Sequence, residues 1–221
     1  MCDGTENPGG TMKLVDAPEA VAALRPPTAI DPWRVWISGC LFGWQVGTDG
    51  TSYGFGPDTL SWLHTTPKVR LVPACPEHIA LGTPRTMPDL HGGDGFDVLE
   101  GRARILDEHG EDLTEPLLAS VHGLVGLARD EDVDFAVLVD RSGLCGSQVV
   151  STGCRYEEPV SYRRGVGLLT AALLKAHVPV VSQRDFRTLH RLRQRLEPDL
   201  PDDDTLLDHH EHPWVVENLP L

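Results

Sequence analysis

Apolar residues recur along this chain in two rhythms. From Asp112-Leu113-Thr114-Glu115 onward, Leu117, Leu118, Val121, Leu124, Val125 and Ala128 fall three and four apart, the spacing of one helix face. Arg164 to His177 carries Leu168, Leu169, Ala172 and Leu173 in the same way, and an Arg-rich helix follows from Asp185 to about Leu196. Asp134 to Val139 is instead an unbroken apolar run, as expected of a parallel strand covered on both faces. Arg34 to Leu41, Val69 to Val72 and Val178 to Val181 read as further strands, and Val98 to Leu106 as a short strand or hairpin arm. Leu81 to Asp97 is rich in Pro and Gly and reads as a loop. Asp58 is expected to cap a short helix through Leu60, Trp62 and Leu63, and another helix is expected near Pro18 to Leu24, ended by Pro26-Pro27. Strands alternating with helices predict an α/β fold with a Rossmann-like open, mostly parallel sheet and helices on both faces.

The organisation that follows is a mobile lead-in over 1–30, one α/β domain over 31–196, and an acidic, His-containing tail over 197–221. The tail, with Asp208-His209-His210-Glu211-His212, is expected to be an extended, solvated arm. Charge narrows the partners. Among 221 residues, 19 Lys and Arg face 33 Asp and Glu, a net −14 that repels phosphate backbones and disfavours nucleic acid. The arginine stripe of Arg184, Arg187, Arg191, Arg193 and Arg195 is expected to be a solvated helix face. No run approaches the roughly 18–20 apolar residues of a membrane span, and the first twenty residues lack a leader's basic and apolar regions. A cytoplasmic location with no membrane partner is therefore expected, where thiols stay reduced. Five cysteines, an odd number, argue against a disulfide framework there.

Three of those cysteines share one setting. Cys40, Cys75 and Cys145 each follow a predicted strand, and each is flanked by Gly or Pro. Ligands of open α/β sheets bind outside the carboxyl ends of the strands, so neighbouring strands would bring the three thiols to one crevice. A single such cysteine is a small buried hydrophobe more often than a ligand. Converging thiolates suit zinc or an iron–sulfur cluster, and a cluster held by three cysteines keeps one iron open. No GxGxxG or GxxxxGK[ST] fingerprint is present. Cys154 and Cys2 are left out of the ligand set.

The segments Ser38-Gly39-Cys40-Leu41-Phe42-Gly43 through Asp49-Gly50, Pro73-Ala74-Cys75-Pro76-Glu77, Gly82-Thr83-Pro84-Arg85 and Ser142-Gly143-Leu144-Cys145-Gly146 occur in one order. With Gly110 to Glu115, Thr170 to Leu174 and Val178 to Ser182, they resemble a bacterial family once catalogued as a domain of unknown function, which includes the thiouracil desulfidases. The resemblance implies an enzyme with a [4Fe–4S] cluster on Cys40, Cys75 and Cys145, acting on a small-molecule thiolated substrate such as a thiouracil and releasing sulfide. It implies catalytic roles for Glu77, as general base, and Ser142, as proton relay or hydrogen-bond donor. Without that context Glu77 reads as a loop or helix-start carboxylate and Ser142 as a turn cap. An iron–sulfur or zinc sensor or sulfur carrier of the same fold, without turnover, is the alternative. Gly39 and Gly43 are expected to let the backbone pass close to the cluster. Asp49 either orients a ligand or closes an Asx-turn, Arg85 pairs with a substrate anion or a carboxylate, and Trp44 either packs or stacks on a planar base. The third motif departs from the family's usual Lys-Ser-x-Ser-Pro-Ser-Cys-Gly: here it reads Val139-Asp140-Arg141-Ser142-Gly143-Leu144-Cys145-Gly146.

Overall fold

A computed structural model describes residues 18–54 and 60–219. Cys2 and Asp58 lie outside them. The chain opens with α1 (Pro18–Ala23), whose Val21 is buried, and then enters β1 (Trp33–Ser38). The first strand is shorter than expected. It stops at Ser38, and Cys40 sits in a single helical turn, α2 (Gly39–Phe42), closed by Gly43 at φ 105°. After α3 (Trp62–Thr65) the second strand, β2 (Val69–Ala74), leads into α4 (Pro76–Leu81).

The segment expected to be loop holds regular structure. β3 (Asp89–His91) and, beyond α5 (Gly95–Leu99), β4 (Arg104–Leu106) form an antiparallel pair. Asp94 caps α5 by accepting from the Phe96 and Asp97 N–H groups, which starts a helix where the apolar pattern is too short to declare one. The long helix α6 (Thr114–Asp130) buries Leu117, Val121, Leu124 and Ala128, four of the positions at helical spacing.

β5 (Phe135–Leu138) is followed by the third cysteine motif and by a hairpin absent from the sequence expectation, β6 (Val149–Thr152) and β7 (Ser161–Arg164). β7 is polar throughout, Ser-Tyr-Arg-Arg, so no apolar alternation betrays it. The remaining elements are α7 (Leu168–Lys175), β8 (Val180–Ser182) and α8 (Phe186–Gln194). The tail does not extend as an arm. A 3-10 turn (His209–Glu211) and α9 (Pro213–Asn218) pack back, burying Asp208, His209 and Val215. Nor is the arginine stripe a solvated face. Arg187 pairs with Glu211, Arg193 with Glu197, and Arg195 donates to the carbonyls of Val21, Ala22 and Leu24.

The central sheet is four-stranded, all parallel, in the order β2-β1-β5-β8. Side chains alternate across it. Trp36, Ala136, Leu138 and Val180 join one apolar cluster with α6 and α7. Val35, Ile37, Phe135, Val137 and Val181 join another with α1, α3 and α8. Both faces are thus covered, which is why the strands read as continuous apolar runs. After β1 the chain moves to β2 on one side, and β5 later adds on the other. The crevice between those departures, outside the carboxyl ends of β1, β2 and β5, is the topological switch point.

Among the described residues no helix is long and apolar enough to cross a membrane. Leu117 is fully buried in the centre of α6. Its replacement by Ala is expected to destabilise the chain by about 2–5 kcal/mol. Urea denaturation should show a lower midpoint with an unchanged slope.

Candidate functional site

Each cysteine reaches the switch point by a different local device. Cys40 rides on α2, immediately beyond β1. Its turn is tight because Gly39 lies under Trp44: a Cβ there would come within 2.8 Å of the indole ring. Gly43 closes the turn with a left-handed φ of 105°, a region that favours glycine. Both glycines therefore serve the turn itself, rather than the passage of backbone past a cluster.

Cys75 ends β2 and caps α4. Its Sγ accepts from the His78 N–H at 3.5 Å, and Pro76 occupies the first helical position, where no N–H is needed. Glu77 follows in the first turn of that helix.

Cys145 lies in the loop after β5. The Ser142 Oγ accepts from the N–H groups of Leu144 and Cys145, at 3.2 and 3.1 Å. The N-terminal N–H groups of α7 complete the loop: Leu168 donates to Gly143 O and Leu169 to Leu144 O, at 3.0 and 2.8 Å. A helix start has N–H groups without intrahelical partners, and here loop carbonyls take them. Gly167 makes the approach possible, since a Cβ there would meet the Leu144 carbonyl carbon at 2.4 Å and the Cys145 nitrogen at 2.8 Å.

Cys40, Cys75, Cys145, Glu77 and Ser142 all line one cavity of about 110 Å³. All three thiols are buried. Burial pushes the Cys40 thiol up to about 12, with the charges of Cys75 and Glu77 adding to it. Burial also raises Cys75, helped by Glu77, and raises Cys145 well above its ordinary value, helped by Glu77, Cys40 and Cys75. The thiols feel one another through low-dielectric surroundings, so all three would ionise together only around a compensating positive centre. Among the described residues, no three or more His, Cys, Asp or Glu side chains gather tightly enough to hold a metal ion. The thiols share a cavity without converging on one point.

Glu77 is paired with Arg85, whose side chain is almost wholly buried. Arg85 is itself held by donation to Gly82 O and Thr83 Oγ1, at 3.2 and 3.1 Å. Of the two readings open for Arg85 in the sequence, the carboxylate partner is the one realised. Asp49 accepts from the Thr51 N–H and hydroxyl, at 3.1 and 2.6 Å, which is an Asx-turn. Trp44 packs edge-on against Phe42 and does not line the cavity; the aromatic ring that does is Tyr53. Cys154 is partly exposed and stands outside the cavity lining.

Sequence reasoning passed over Tyr53, Met87, Arg141 and Arg155, which complete the lining. Met87 and Arg155 come from segments with no motif. Arg141 is adjacent to Ser142 and was visible only as a departure from the family pattern. Asp140 lines the cavity as well and is bound by His209 from the tail, Nδ1 to Oδ2 at 2.6 Å.

An open parallel α/β fold with a thiol-lined cavity at its switch point is the framework of an enzyme for a small molecule. The chain belongs to the 2-thiouracil desulfurase family, whose model matches residues 35–185. The Bacillus subtilis (strain 168) protein YbbK, itself uncharacterized, is 30% identical over 121 residues, spanning 54% of this chain and 78% of YbbK. Among solved structures, the [4Fe-4S]-dependent thiouracil desulfidase TudS is similar at 30% identity with a TM-score of 0.55, over 68% of this chain and 90% of TudS.

Two glycine substitutions separate packing in the site from helix propensity. Gly167→Ala drives a methyl group into the backbone of the Cys145 loop and is expected to cost about 1–3 kcal/mol. Gly123→Ala in α6 has nothing within 4 Å of the new Cβ, so it is expected to be neutral or to stabilise by up to about 1 kcal/mol. Melting temperatures of the two variants would move in opposite directions, and a Gly167→Ala chain as stable as wild type would mean that the loop is not pinned to α7.

Proposed function

We propose that the protein is an iron–sulfur-dependent desulfidase that exchanges the sulfur of a thiolated heterocycle, of the thiouracil type, for oxygen from water. The observation that carries this reading is the sharing of one cavity by Cys40, Cys75, Cys145, Glu77 and Ser142, in a chain of the 2-thiouracil desulfurase family. The donor set suits a polynuclear cluster. Three buried thiols whose charges repel need a cationic centre, and a [4Fe–4S] cluster takes each thiolate on a separate iron, whereas one zinc ion needs its ligands around a single point. Cys40, Cys75 and Cys145 would hold the cluster. When bound, it would supply an iron without a protein thiolate, a Lewis acid for a thiocarbonyl sulfur.

The protein's own groups account for the proton movements. Glu77 takes a proton from the attacking water, whose oxygen becomes the new carbonyl oxygen. Arg85 holds the Glu77 side chain by an ion pair, keeping it oriented and giving its charge a buried partner. Ser142 already accepts two N–H groups on Oγ, so its own hydrogen remains to be donated to the substrate. The sulfur departs as sulfide with both protons of the water accounted for, and no electron is gained or lost overall. The covered strand ends and the apolar walls restrict bulk water, which strengthens each of these interactions.

Anaerobic reconstitution should yield a brown protein with about four irons and four sulfides per chain, and Cys40→Ser, Cys75→Ser and Cys145→Ser should each lose most of that content. Glu77→Gln should keep the cluster and lose about 10²-fold or more in kcat for sulfide release from 2-thiouracil. Wild-type turnover in the Glu77→Gln chain would exclude the general-base role. A colourless wild-type chain after reconstitution would exclude the cluster.

A further inference from the structure

The family match ends at residue 185, yet a segment beyond it reaches the loop of the third cysteine. Asp140, on the cavity wall, stands where the family pattern has Ser. Its side chain is wholly buried. Its Oδ1 accepts from the backbone N–H groups of Arg141, Ser147 and Val149, at 3.0, 3.1 and 3.3 Å, with Gln148 at 3.5 Å. Those donors sit at the two ends of the loop that carries Ser142 and Cys145, so one carboxylate ties the loop shut. Its Oδ2 takes a single side chain, the His209 Nδ1 at 2.6 Å. Burial alone would push this carboxyl up, but the His209 bond and the backbone donors outweigh burial and hold it below its usual range.

His209 is itself fixed. Its backbone N–H donates to Asp185 Oδ1 at 3.0 Å, and Asp185 also accepts from Ser182 N at 2.7 Å and from the Gln148 side chain. The preceding residue, Asp208, accepts from the Thr188 N–H and hydroxyl, at 2.9 and 2.8 Å. Five residues on, Trp214 lies 4.8 Å from the Arg141 guanidinium, with Tyr162 at 5.3 Å. Arg141 is a non-glycine residue at φ 60°, a conformation that costs energy and is retained only where neighbours enforce it. The two residues immediately before Ser142 are thus gripped by two side chains of the C-terminal segment. Asp140 has no oxygen left to accept a proton from water or substrate, which leaves it a holding role.

We propose that His209 is a positioning residue of the sulfur-removing site, fixing Ser142 and Cys145 through Asp140, and that the C-terminal segment is a working component of that site. What the loop positions rests on the desulfidase reading; that the loop depends on His209 does not. The test uses the full chain without cluster, alkylated by N-ethylmaleimide and read cysteine by cysteine by mass spectrometry. His209→Leu removes the donor while keeping bulk. Losing a buried hydrogen bond to a charged group should open the loop enough to speed alkylation of Cys145 by about tenfold or more, with Cys40 and Cys75 changed by about twofold at most. His209→Asn puts an N–H where Nδ1 stands and should restore the wild-type rate at Cys145. After reconstitution, the Leu variant should show reduced iron per chain and kcat, with KM near wild type, and the Asn variant should recover both. Equal Cys145 rates in wild type and Leu, equal rates in Asn and Leu, or a parallel rise at all three cysteines would each overturn the proposal. If the Leu variant does not fold, His209→Gln, with its donor displaced by one bond, replaces it. Its Cys145 must then react faster than that of the Asn variant, and equal rates count against the proposal. A wild-type chain that takes up no iron would defeat the desulfidase reading and leave the labelling result to decide this one.

Discussion

Everything in the site depends on β1 being an interior strand with neighbours that leave it in opposite directions. β1 pairs with β2 on one side and β5 on the other, both parallel. Parallel strands end on the same edge, so the three segments that follow them must begin side by side. A crevice is unavoidable there, because the chain departs to opposite sides of β1 and cannot fill the space between. The buried alternation of β1 and β5 between two apolar clusters locks the register, since a slip by one residue would exchange the two faces. Cys40, Cys75 and Cys145 are close because a hydrophobic pattern far from them is continuous.

Within the crevice the electrostatics are set by imbalance. Three thiols and one carboxylate face a single cavity, and each raises the others' cost of ionisation. Arg85 answers only Glu77. The thiols have no cation of their own among the described residues lining the cavity, because Arg155 is engaged by Asp89 and Arg141 by two aromatic rings. A positive centre bound to the thiols would relieve the strain that the fold builds in, and the same repulsion would favour its retention once bound.

Much of this was legible from residue patterns. The parallel strands announced themselves by unbroken apolar runs, and α6 by its spacing, because burial on both faces or one leaves a period in the sequence. The ordered motifs around Cys40, Cys75 and Cys145 pointed to one locus, and the three do line one cavity. What stayed hidden was held by polar contacts with no period. β7 is Ser-Tyr-Arg-Arg, and it is recognisable only through its partner β6. The acidic tail looked solvated because its composition is polar. Yet Asp208 and His209 are buried, since Thr188, Asp185 and Asp140 supply matching donors and acceptors from distant sequence. Composition reports the average cost of burying a polar residue and cannot report a partner 69 positions away.

The three cysteines do not belong to one body of the core. Cys145 packs into the cluster beneath α6 and α7, whereas Cys40 and Cys75 pack into the cluster across the sheet. Apart from the sheet itself, the two halves meet at this edge. A species bonded to all three sulfurs is therefore a rivet between two separately packed halves, and its presence changes the cooperativity of unfolding more than it changes either half. The loaded protein melts as a single unit, and the bare protein is free to lose one side of its sheet before the other.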